Sequence, residues 1–372
     1  MNLPRPLIAL CFAAACGAAV WRAWPPAPAA FVAPNAAQAP RLPAEYAVEM
    51  LPIAAPSAHA ATLAEFPDGR IAAAWFAGSR EGARDVAVWF SIREPSGWTP
   101  PRAIVTREGA IDDTRAYVRK LGNPVLLADG PRLHLWFVSA GIGGWAGSSI
   151  NHTVSTDGGQ HWSPATKLAT SPFLNIGTLV RTGPLALADG GWGLPVYHEF
   201  IAKRGEWLRL DSNGGIVEKV RLPADGPQLQ PAVALLDGNR ALALLRDAGP
   251  APGRVRAAAT TDAGHTWTAL PPLPVGNPNS SVALVRLPSG KLLLAGNPAA
   301  GRHILELHLS SDEGRTWKKV REVENAVPDG KIEFSYPALY VARDGRIHLA
   351  WTWLRRGIRH AVFTEAALEA TP

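Results

Sequence analysis

Polar residues that could form a ligand pocket stand at the ends of several apolar segments. Asn123 precedes Pro124 at the start of one segment, Arg181 precedes another, and His198 and Glu199 end a third. Binding residues often lie where loops meet strands. The formal net charge of +6 is spread along the chain, which suits an acidic ligand at least as well as nucleic acid. We predict Asn123, Arg181 and His198 as pocket residues for an acidic ligand, and expect no nucleic-acid partner.

The sequence offers little for thiol or metal chemistry. Its 2 cysteines, Cys11 and Cys16, both lie in the N-terminal segment. A domain without cysteine has no disulfide framework, no thiolate nucleophile and no cysteine-bound zinc. We expect the protein to use neither a metal nor a cofactor, and to be a monomer.

The N-terminus has the layout of an export signal. An apolar run from Leu7 to Trp21 follows Arg5, and it is shorter than the roughly 20 residues that span a bilayer comfortably. Residues 1–24 are predicted to be a signal peptide or a membrane anchor, with lipid modification of Cys16 as a third option. Residues 25–44 are predicted to be an Ala/Pro-rich linker. These features predict a periplasmic or secreted protein, or one anchored to the inner membrane by its N-terminal segment.

An internal repeat indicates the elements that position the pocket residues. Three segments share the pattern Ser/Thr-x-Asp-x-Gly-x-x-Trp. They are Ser155–Trp162, Thr260–Trp267 and Ser310–Trp317. In each segment the Asp can cap a tight turn, the Gly can supply a positive φ and the Trp can pack over the hairpin. We interpret the repeat as a structural turn without a catalytic part.

The spacing of the repeat predicts six units of about fifty residues. Weaker copies lie at Ser91–Trp98 and near Asp211, and a last set of strands covers Ile347–Phe363. The chain has 14 Trp, 35 Gly and 34 Pro, a composition typical of short strands joined by tight turns. We predict an all-β fold, a six-bladed β-propeller over residues 45–372 with four strands in each blade.

The repeat resembles the Asp-box of the sialidase (neuraminidase) superfamily, and the resemblance runs from about Tyr46 to Phe363. The branch with BNR repeats carries stretches similar to Gly122–Val125, Asn277–Ser280 and Phe334–Leu339. Sialidases hold the substrate carboxylate with an arginine triad, and use a tyrosine nucleophile, a glutamate that polarises it and an aspartate acid. The resemblance implies an exo-glycosidase that acts on sialic acid or a related acidic sugar.

Three residues match the sialidase pattern. Tyr336 corresponds to the nucleophile, and a neutral phenol avoids the repulsion that an anionic nucleophile would meet beside a carboxylate. Arg246 matches the second arginine of the triad and Arg302 the third. A guanidinium group binds a carboxylate through two parallel hydrogen bonds, which lysine cannot do. The resemblance therefore assigns the substrate carboxylate to Arg246 and Arg302.

Two family positions hold other residues. His59 stands where the first arginine is expected, and a histidine can bind a carboxylate when protonated or act as an acid or base near pH 7. Gln230 stands where the polarising glutamate is expected, and an amide cannot accept the phenolic proton. Glu333 and Glu199 are the alternatives for that carboxylate role, with Gln230 left as a substrate-binding residue.

The sequence offers two candidates for the general acid and more than one possible function. Asp85 is the nearest equivalent of the sialidase acid, with Glu81 as the alternative. Besides hydrolysis, a polysaccharide lyase on a uronic-acid polymer is a second hypothesis, in which His59 or His198 works with Tyr336 while arginine neutralises the carboxylate. A third hypothesis is a non-catalytic propeller that binds a glycan or a protein at the cell envelope.

Overall fold

The fold is nearly all β. A computed structural model describes residues 5–23, 30–33, 42–171, 175–298, 301–330 and 332–369. Its strands form six antiparallel sheets, and successive sheets contact one another until the sixth contacts the first. This arrangement confirms the predicted six-bladed β-propeller.

Each blade has four strand positions that follow one another from the axis outward. Blades 1 and 3 depart from the predicted four strands, because two short strands share the outermost position in blade 1 and the innermost position in blade 3. The strands of blades 1 to 3 are β2 (Ser57–Glu65), β3 (Ile71–Gly78), β4 (Ala87–Glu94), β5 (Gly97–Trp98) and β6 (Arg102–Val105); β7 (Lys120–Asp129), β8 (Arg132–Ala140), β9 (Ser148–Ser155) and β10 (Thr166–Lys167); and β11 (Thr178–Val180), β12 (Leu185–Ala186), β13 (Trp192–His198), β14 (Arg204–Leu210) and β15 (Ile216–Arg221).

The later blades have the same order. Their strands are β16 (Gln228–Leu235), β17 (Ala241–Asp247), β18 (Arg256–Thr260) and β19 (Thr268–Leu270) in blade 4; β20 (Ala283–Arg286), β21 (Leu292–Gly296), β22 (Ile304–Ser310) and β23 (Lys318–Asn325) in blade 5; and β24 (Phe334–Val341), β25 (Ile347–Trp353), β26 (Gly357–Phe363) and β1 (Tyr46–Met50) in blade 6. The helices are α1 (Arg5–Ala23), α2 (Arg107–Thr114) and α3 (Ala366–Glu369), and a 3₁₀ turn covers Gly144–Gly147.

Blade 6 joins the two ends of the propeller domain. Its outer strand is β1, which pairs antiparallel with β26 from Tyr46 opposite Phe363 to Met50 opposite Arg359. The sequence indicated the strands of Ile347–Phe363 but not this partner. Because β1 covers the outer edge of β26, the first and last segments of the domain hold the ring of blades closed.

The three Asp-box segments form turns between the third and fourth strands of blades 2, 4 and 5. In blade 4, Asp262 Oδ1 accepts the Thr266 N–H at 2.8 Å and the Thr260 hydroxyl at 2.8 Å. Gly264 has a φ of +89°, and a Cβ atom on it would lie 2.6 Å from the Trp207 indole in blade 3. The Asp262 and Thr260 side chains are therefore satisfied within the turn, which packs against the preceding blade, whereas the Trp267 indole N–H has no hydrogen-bond partner in the described chain.

The two ends of the axis differ in their connections. Thr260 in β18 pairs with Ala241, and Ala241 pairs with Leu235 at the end of the inner strand β16. The Asp-box turns therefore lie where the inner strands end, and we call this end the turn end. The connections between second and third strands, such as residues 79–86 and 141–147, lie where the inner strands begin, and we call this end the loop end.

A cavity of about 290 Å³ runs along the axis between the inner strands. Most of its wall is apolar, and every blade contributes to it. Representative lining residues are Leu63, Leu127, Leu185, Val233, Val285 and Leu339. Arg181 also lines this cavity, toward the loop end.

Residues 30–33 dock on the turn end between blades 3 and 4. The Phe31 N–H donates to the Gly238 carbonyl at 2.6 Å, and the Val32 N–H donates to the Ala186 carbonyl at 2.9 Å. The Phe31 ring is buried and meets Trp207 edge-on at 6.0 Å. This part of the predicted linker therefore packs on the propeller.

The rest of the predicted N-terminal region is described in part. Residues 1–4 and 24 of the predicted signal or anchor, and residues 25–29 and 34–41 of the predicted linker, lie outside the described residues. Residues 5–23 form α1. Of the helices that the structure describes, none combines the length and apolar character needed to cross a membrane.

Candidate functional site

Bulges near the start of the inner strands shape the loop end. The strand pairing shifts just after His59 in blade 1, Leu229 in blade 4 and Ser335 in blade 6. Gln230 and Tyr336 lie in two of these bulges, with φ of 54° and 52°. Positive φ is rare for residues other than glycine, and such residues cluster at functional sites. Because bulges redirect side chains, these positions mark the candidate site.

Tyr336 is half-buried among two cations and a histidine. The Cζ atoms of Arg302 and Arg181 lie 5.5 and 5.6 Å from its ring centroid. The His59 ring meets the Tyr336 ring edge-on, with centroids 5.9 Å apart. The fold therefore brings together these four predicted site residues from blades 6, 5, 3 and 1.

Arg181 crosses the axis beneath Tyr336. Its guanidinium donates to the carbonyl of Ala61 at 3.1 Å, of Tyr336 at 2.7 Å and of Pro337 at 3.0 Å. Burial lowers the pKa of Arg181 to about 10, so the group stays protonated at neutral pH. Arg181 thus links the backbones of blades 1 and 6 and fixes the bulge that carries Tyr336.

Arg246 is oriented by neutral groups. Its Nε donates to Asn279 Oδ1 at 2.6 Å, and its Nη1 donates to Gln230 Oε1 at 3.3 Å. No carboxylate of the described residues lies within 4.0 Å of this guanidinium. A cation that is oriented but not neutralised is suited to binding an anion.

Arg302, by contrast, is paired. Its Nη1 donates to Glu333 Oε1 at 2.7 Å and its Nη2 to the Asn279 carbonyl at 2.9 Å. Glu333 also accepts hydrogen bonds from Ser335 and Arg355. Burial alone would raise the pKa of Glu333, but Arg302, Ser335 and Arg355 outweigh it and hold the pKa at about 2. Glu333 is therefore a permanent anion that orients two arginines.

His59 is buried beside Tyr336 without a hydrogen-bond partner. Both of its ring nitrogens lack one among the described residues, and Glu81 Oε2 lies 3.8 Å from Nε2. Burial lowers the pKa of His59, which the nearby Glu81 and Glu333 oppose only in part. The imidazole is therefore neutral at pH 7 and can accept a proton. Glu81 in turn accepts from Arg355 Nη1 at 3.2 Å.

A second tyrosine, Tyr197, lies at the end of β13. Its hydroxyl accepts the Asn123 amide at 3.1 Å and the Gln230 amide at 3.4 Å. Because Arg246 can only donate, it fixes Gln230 with the carbonyl toward Arg246 and the NH₂ group toward Tyr197. Burial raises the pKa of Tyr197 well above its usual value, so the phenol stays neutral.

These contacts form one chain of neighbours around the axis, from Asn123 in blade 2 to His59 in blade 1, which we call the polar ring. All six blades contribute to it. Its members, in order of contact, are Asn123, Tyr197, Gln230, Arg246, Asn279, Arg302, Glu333, Arg355, Glu81 and His59. Tyr336 packs against the ring through His59 and Arg302.

Asp85 and His198 contact neither the polar ring nor Tyr336. Asp85 is exposed, and its carboxylate accepts the Ser79 N–H and hydroxyl, each at 2.9 Å. These hydrogen bonds lower its pKa, so Asp85 holds a turn and is ionised at neutral pH. His198 Nε2 accepts the Ile201 N–H at 3.3 Å within its own blade. Burial lowers the pKa of His198, which suits this local role as an acceptor.

Three members of the polar ring are absent from the predicted site. Asn279 belongs to the quoted stretch Asn277–Ser280, and Tyr197 immediately precedes the predicted His198, so both stood next to a sequence signal. Arg355 follows the end of β25 and belongs to no motif. Its role comes from contacts with Glu333, just before β24, and with Glu81, in blade 1. Neither partner is near Arg355 in the sequence.

The site offers no grouping of metal ligands. Within the described ranges, no three or more His, Cys, Asp or Glu side chains are placed to hold a metal ion. The ring is instead a set of guanidinium, amide, phenol and imidazole groups. Such groups can bind an anion, transfer a proton and supply a phenol as a nucleophile.

Comparisons with known proteins agree with this architecture. A family model described as a BNR repeat-like domain matches residues 69–349. The Hadza microbial sialidase Hz136 has a TM-score of 0.68 at 16% identity, over 84% of this chain and 66% of that one, so this chain spans slightly under two thirds of it. The intramolecular trans-sialidase from Ruminococcus gnavus has a TM-score of 0.65 at 14% identity, over 87% and 98% of the two chains. An α-L-arabinanase from Penicillium chrysogenum has a TM-score of 0.62 at 14% identity, over 89% and 99%.

The similar structures establish a fold and not a substrate. No curated protein sequence matches the chain, and at identities of 16% and below the structural likeness concerns the backbone alone. The matched proteins include sialidases and an arabinanase, so the fold is one that glycoside hydrolases use. The family model extends over most of the sequence. This chain belongs to the BNR repeat-like domain family and is a sialidase-like β-propeller.

Proposed function

We propose that this chain is an exo-glycosidase of sialidase type that removes an acidic sugar, sialic acid or a relative, from the end of a glycan. The observation that supports it most is the state of Arg246. Its guanidinium is held by two amide oxygens, and it forms no ion pair with a carboxylate of the described residues. A ligand carboxylate would supply a directly paired counter-charge.

Arg302 adds a second guanidinium to the same position. Arg246 binds the side chain of Asn279 and Arg302 binds its backbone carbonyl. The shared partner keeps the two cations on neighbouring blades close to each other. Together they can hold a carboxylate through several charge-assisted hydrogen bonds.

The reaction uses Tyr336 as the nucleophile. Its phenolic oxygen attacks the anomeric carbon, and water later hydrolyses the tyrosyl glycoside. Gln230 cannot accept the phenolic proton, and Glu333 is a weak base because its pKa is held at about 2. His59 is a neutral base whose ring meets the Tyr336 ring edge-on, and it has no competing hydrogen bond in the described chain. We assign the phenolic proton to His59.

The experiment is an assay of the full-length protein against fluorogenic sialosides and uronides. We expect release of the free acidic sugar, and Arg246→Ala to lower kcat/KM by about 100-fold or more because a charge-assisted contact is lost. Arg286→Ala is the matched control, because Arg286 binds the Leu236 carbonyl at the turn end. A folded wild-type protein that cleaves none of these glycosides would contradict the proposal.

A second candidate is a polysaccharide lyase on a uronic-acid polymer, and the unpartnered His59 beside Tyr336 favours it. In that reaction His59 takes the proton next to the carboxylate, the bond to the leaving oxygen breaks, and Tyr336 protonates that oxygen. The products would be unsaturated uronates that absorb ultraviolet light, whereas hydrolysis gives none.

The non-catalytic alternative predicts that the protein binds a glycan without cleaving it. Glycan binding that Tyr336→Phe does not affect, with no cleavage, would favour this alternative.

Export to the periplasm or beyond is part of the proposal, because glycans with terminal acidic sugars lie outside the cytoplasm. The apolar segment from Leu7 to Trp21 is the feature that supports it. Cell fractionation with an antibody against the propeller tests it. Recovery of the protein solely in the cytoplasmic fraction would contradict it.

A further inference from the structure

The reaction proposed above needs a proton donor for the leaving group. Asp85 is exposed and engaged by Ser79, so it is poorly suited to this role. We propose that Glu199, at the loop end of blade 3, is the general acid that protonates the leaving oxygen. This assignment rests on the proposed function and names a catalytic residue for it.

Glu199 is positioned by the strand that carries Tyr197. It directly follows β13, and its N–H donates to the Gly177 carbonyl at 2.9 Å. Tyr197, two residues earlier, belongs to the polar ring. The end of β13 therefore lies at the level of the site.

Glu199 and Tyr336 stand on opposite sides of the axis. Glu199 belongs to blade 3 and Tyr336 to blade 6, which are three blades apart in a ring of six. A retaining glycosidase needs its nucleophile and its acid on either side of the scissile bond. A sugar held by Arg246 and Arg302, from blades 4 and 5, would sit between them.

The Glu199 carboxyl is free for a ligand. It is half-buried, and it forms no hydrogen bond or ion pair with the rest of the described chain. The charged groups that face it are Arg246, Lys203 and Lys120. Burial outweighs these three cations and raises its pKa, which keeps a larger fraction of the carboxyl protonated near neutral pH.

The reaction proceeds in two steps. Tyr336 Oη forms a bond to the anomeric carbon while the bond from that carbon to the leaving oxygen breaks. Glu199 gives its proton to the leaving oxygen, and the phenolic proton passes to His59. In the second step the Glu199 carboxylate takes a proton from water, the water oxygen binds the anomeric carbon, and Tyr336 recovers its proton from His59.

The test compares two leaving groups in Glu199→Gln. A sugar leaving group needs protonation, whereas 4-nitrophenolate leaves without it. We expect kcat/KM to fall about 1,000-fold for a sialyl-oligosaccharide and less than about tenfold for the 4-nitrophenyl sialoside. Asp85→Asn is the matched control and should change the two rates by the same small factor. Glu199→Asp, which keeps an acid, should recover part of the oligosaccharide activity.

The pH profile gives a second readout. For the oligosaccharide, the wild-type rate should fall on the alkaline side as Glu199, which faces Lys120, Lys203, Arg246 and Tyr197, ionises. With the 4-nitrophenyl substrate this limb should be missing in Glu199→Gln. Equal losses on both substrates in a folded variant would overturn the assignment. A wild-type protein that cleaves neither substrate would instead contradict the proposed function itself.

Discussion

The turn end and the loop end of the propeller use the same strands for different purposes. At the turn end the Asp-box aspartates are satisfied within their own turns, and the Thr316 hydroxyl and N–H hold the pKa of Asp312 at about 2. At the loop end Arg246 forms no ion pair and His59 forms no hydrogen bond within the described chain. Unsatisfied buried groups cost stability and are typical of functional sites. We therefore expect changes at the two ends to separate activity from stability.

The largest effect is expected from Tyr336→Phe. The change removes one hydroxyl and leaves the ring between Arg302 and Arg181. We expect kcat to fall about 1,000-fold, or about 4 kcal/mol, with an unchanged Tm. Tyr46→Phe in β1 is the control. If kcat of Tyr336→Phe stays within about tenfold of the wild-type value, Tyr336 is not the nucleophile.

Next is Gly264→Ala at the turn end. The residue has a φ of +89°, and the new Cβ would lie 2.6 Å from Trp207. We expect the free energy of unfolding to fall by about 3 kcal/mol through strain and overpacking, with the activity per folded molecule preserved. Gly69→Ala separates the two causes, because Gly69 has a φ of +88° and open space around it. Equal losses in both variants would mean that packing between blades contributes nothing.

Acid should weaken the turn end through buried histidines. His348 Nδ1 lies 3.0 Å from His360 Nε2, and His360 Nδ1 lies 2.9 Å from Glu49 in β1. Burial and the neighbouring His360 lower the pKa of His348 to about 3. The unfolded chain binds this proton near pH 6.5, so stability is lost as the pH falls from 6.5 toward 3, by about 2 kcal/mol at pH 5. Thermal melts of His348→Gln should have a shallower acid slope than wild type, whereas His303→Gln at the loop end should not.

The smallest effect is expected from Gln230→Glu. A carboxylate there would neutralise Arg246, which is 3.3 Å from the present amide oxygen, and would accept the Tyr197 proton. We expect an acidic sugar to bind about tenfold more weakly, or by about 1.4 kcal/mol, measured by titration calorimetry. Gln160→Glu makes the same change in an exposed turn-end residue and is the control. Tighter binding in Gln230→Glu would show that Arg246 is not the anion site.

The sequence predicts the turn end better than the loop end. The Asp-box is local, since its Asp, Gly and Trp act within one hairpin, and three intact copies were enough to predict six blades. Asp211 keeps only the turn, and its Oδ1 accepts the Asn213 and Gly215 N–H groups. The strand β1 was not predicted as part of blade 6, because its partner lies at the opposite end of the chain.

The site depends on contacts between blades, which a linear pattern does not contain. Tyr336, Arg246, Arg302, His59 and Gln230 could be predicted as site residues because sialidase motifs mark those positions, and the structure places them at the loop end. Asp85 and Glu81 share one loop, and only the structure shows that Asp85 turns to Ser79 while Glu81 faces His59 and Arg355. The partners of Asp85 and Glu81 depend on the conformation of the loop, which cannot be predicted from the residue types alone.

The pairing of β1 with β26 has a consequence for how the protein is made. A chain that leaves the ribosome or a membrane channel N-terminus first presents β1 long before residues 357–363 exist to bind it. Until synthesis ends, β1 and the outermost finished strand both have unpaired backbone groups, which proteases and aggregating chains recognise. A polypeptide that ends before the last strand therefore keeps an exposed sheet edge at β1, which makes it prone to proteolysis and aggregation.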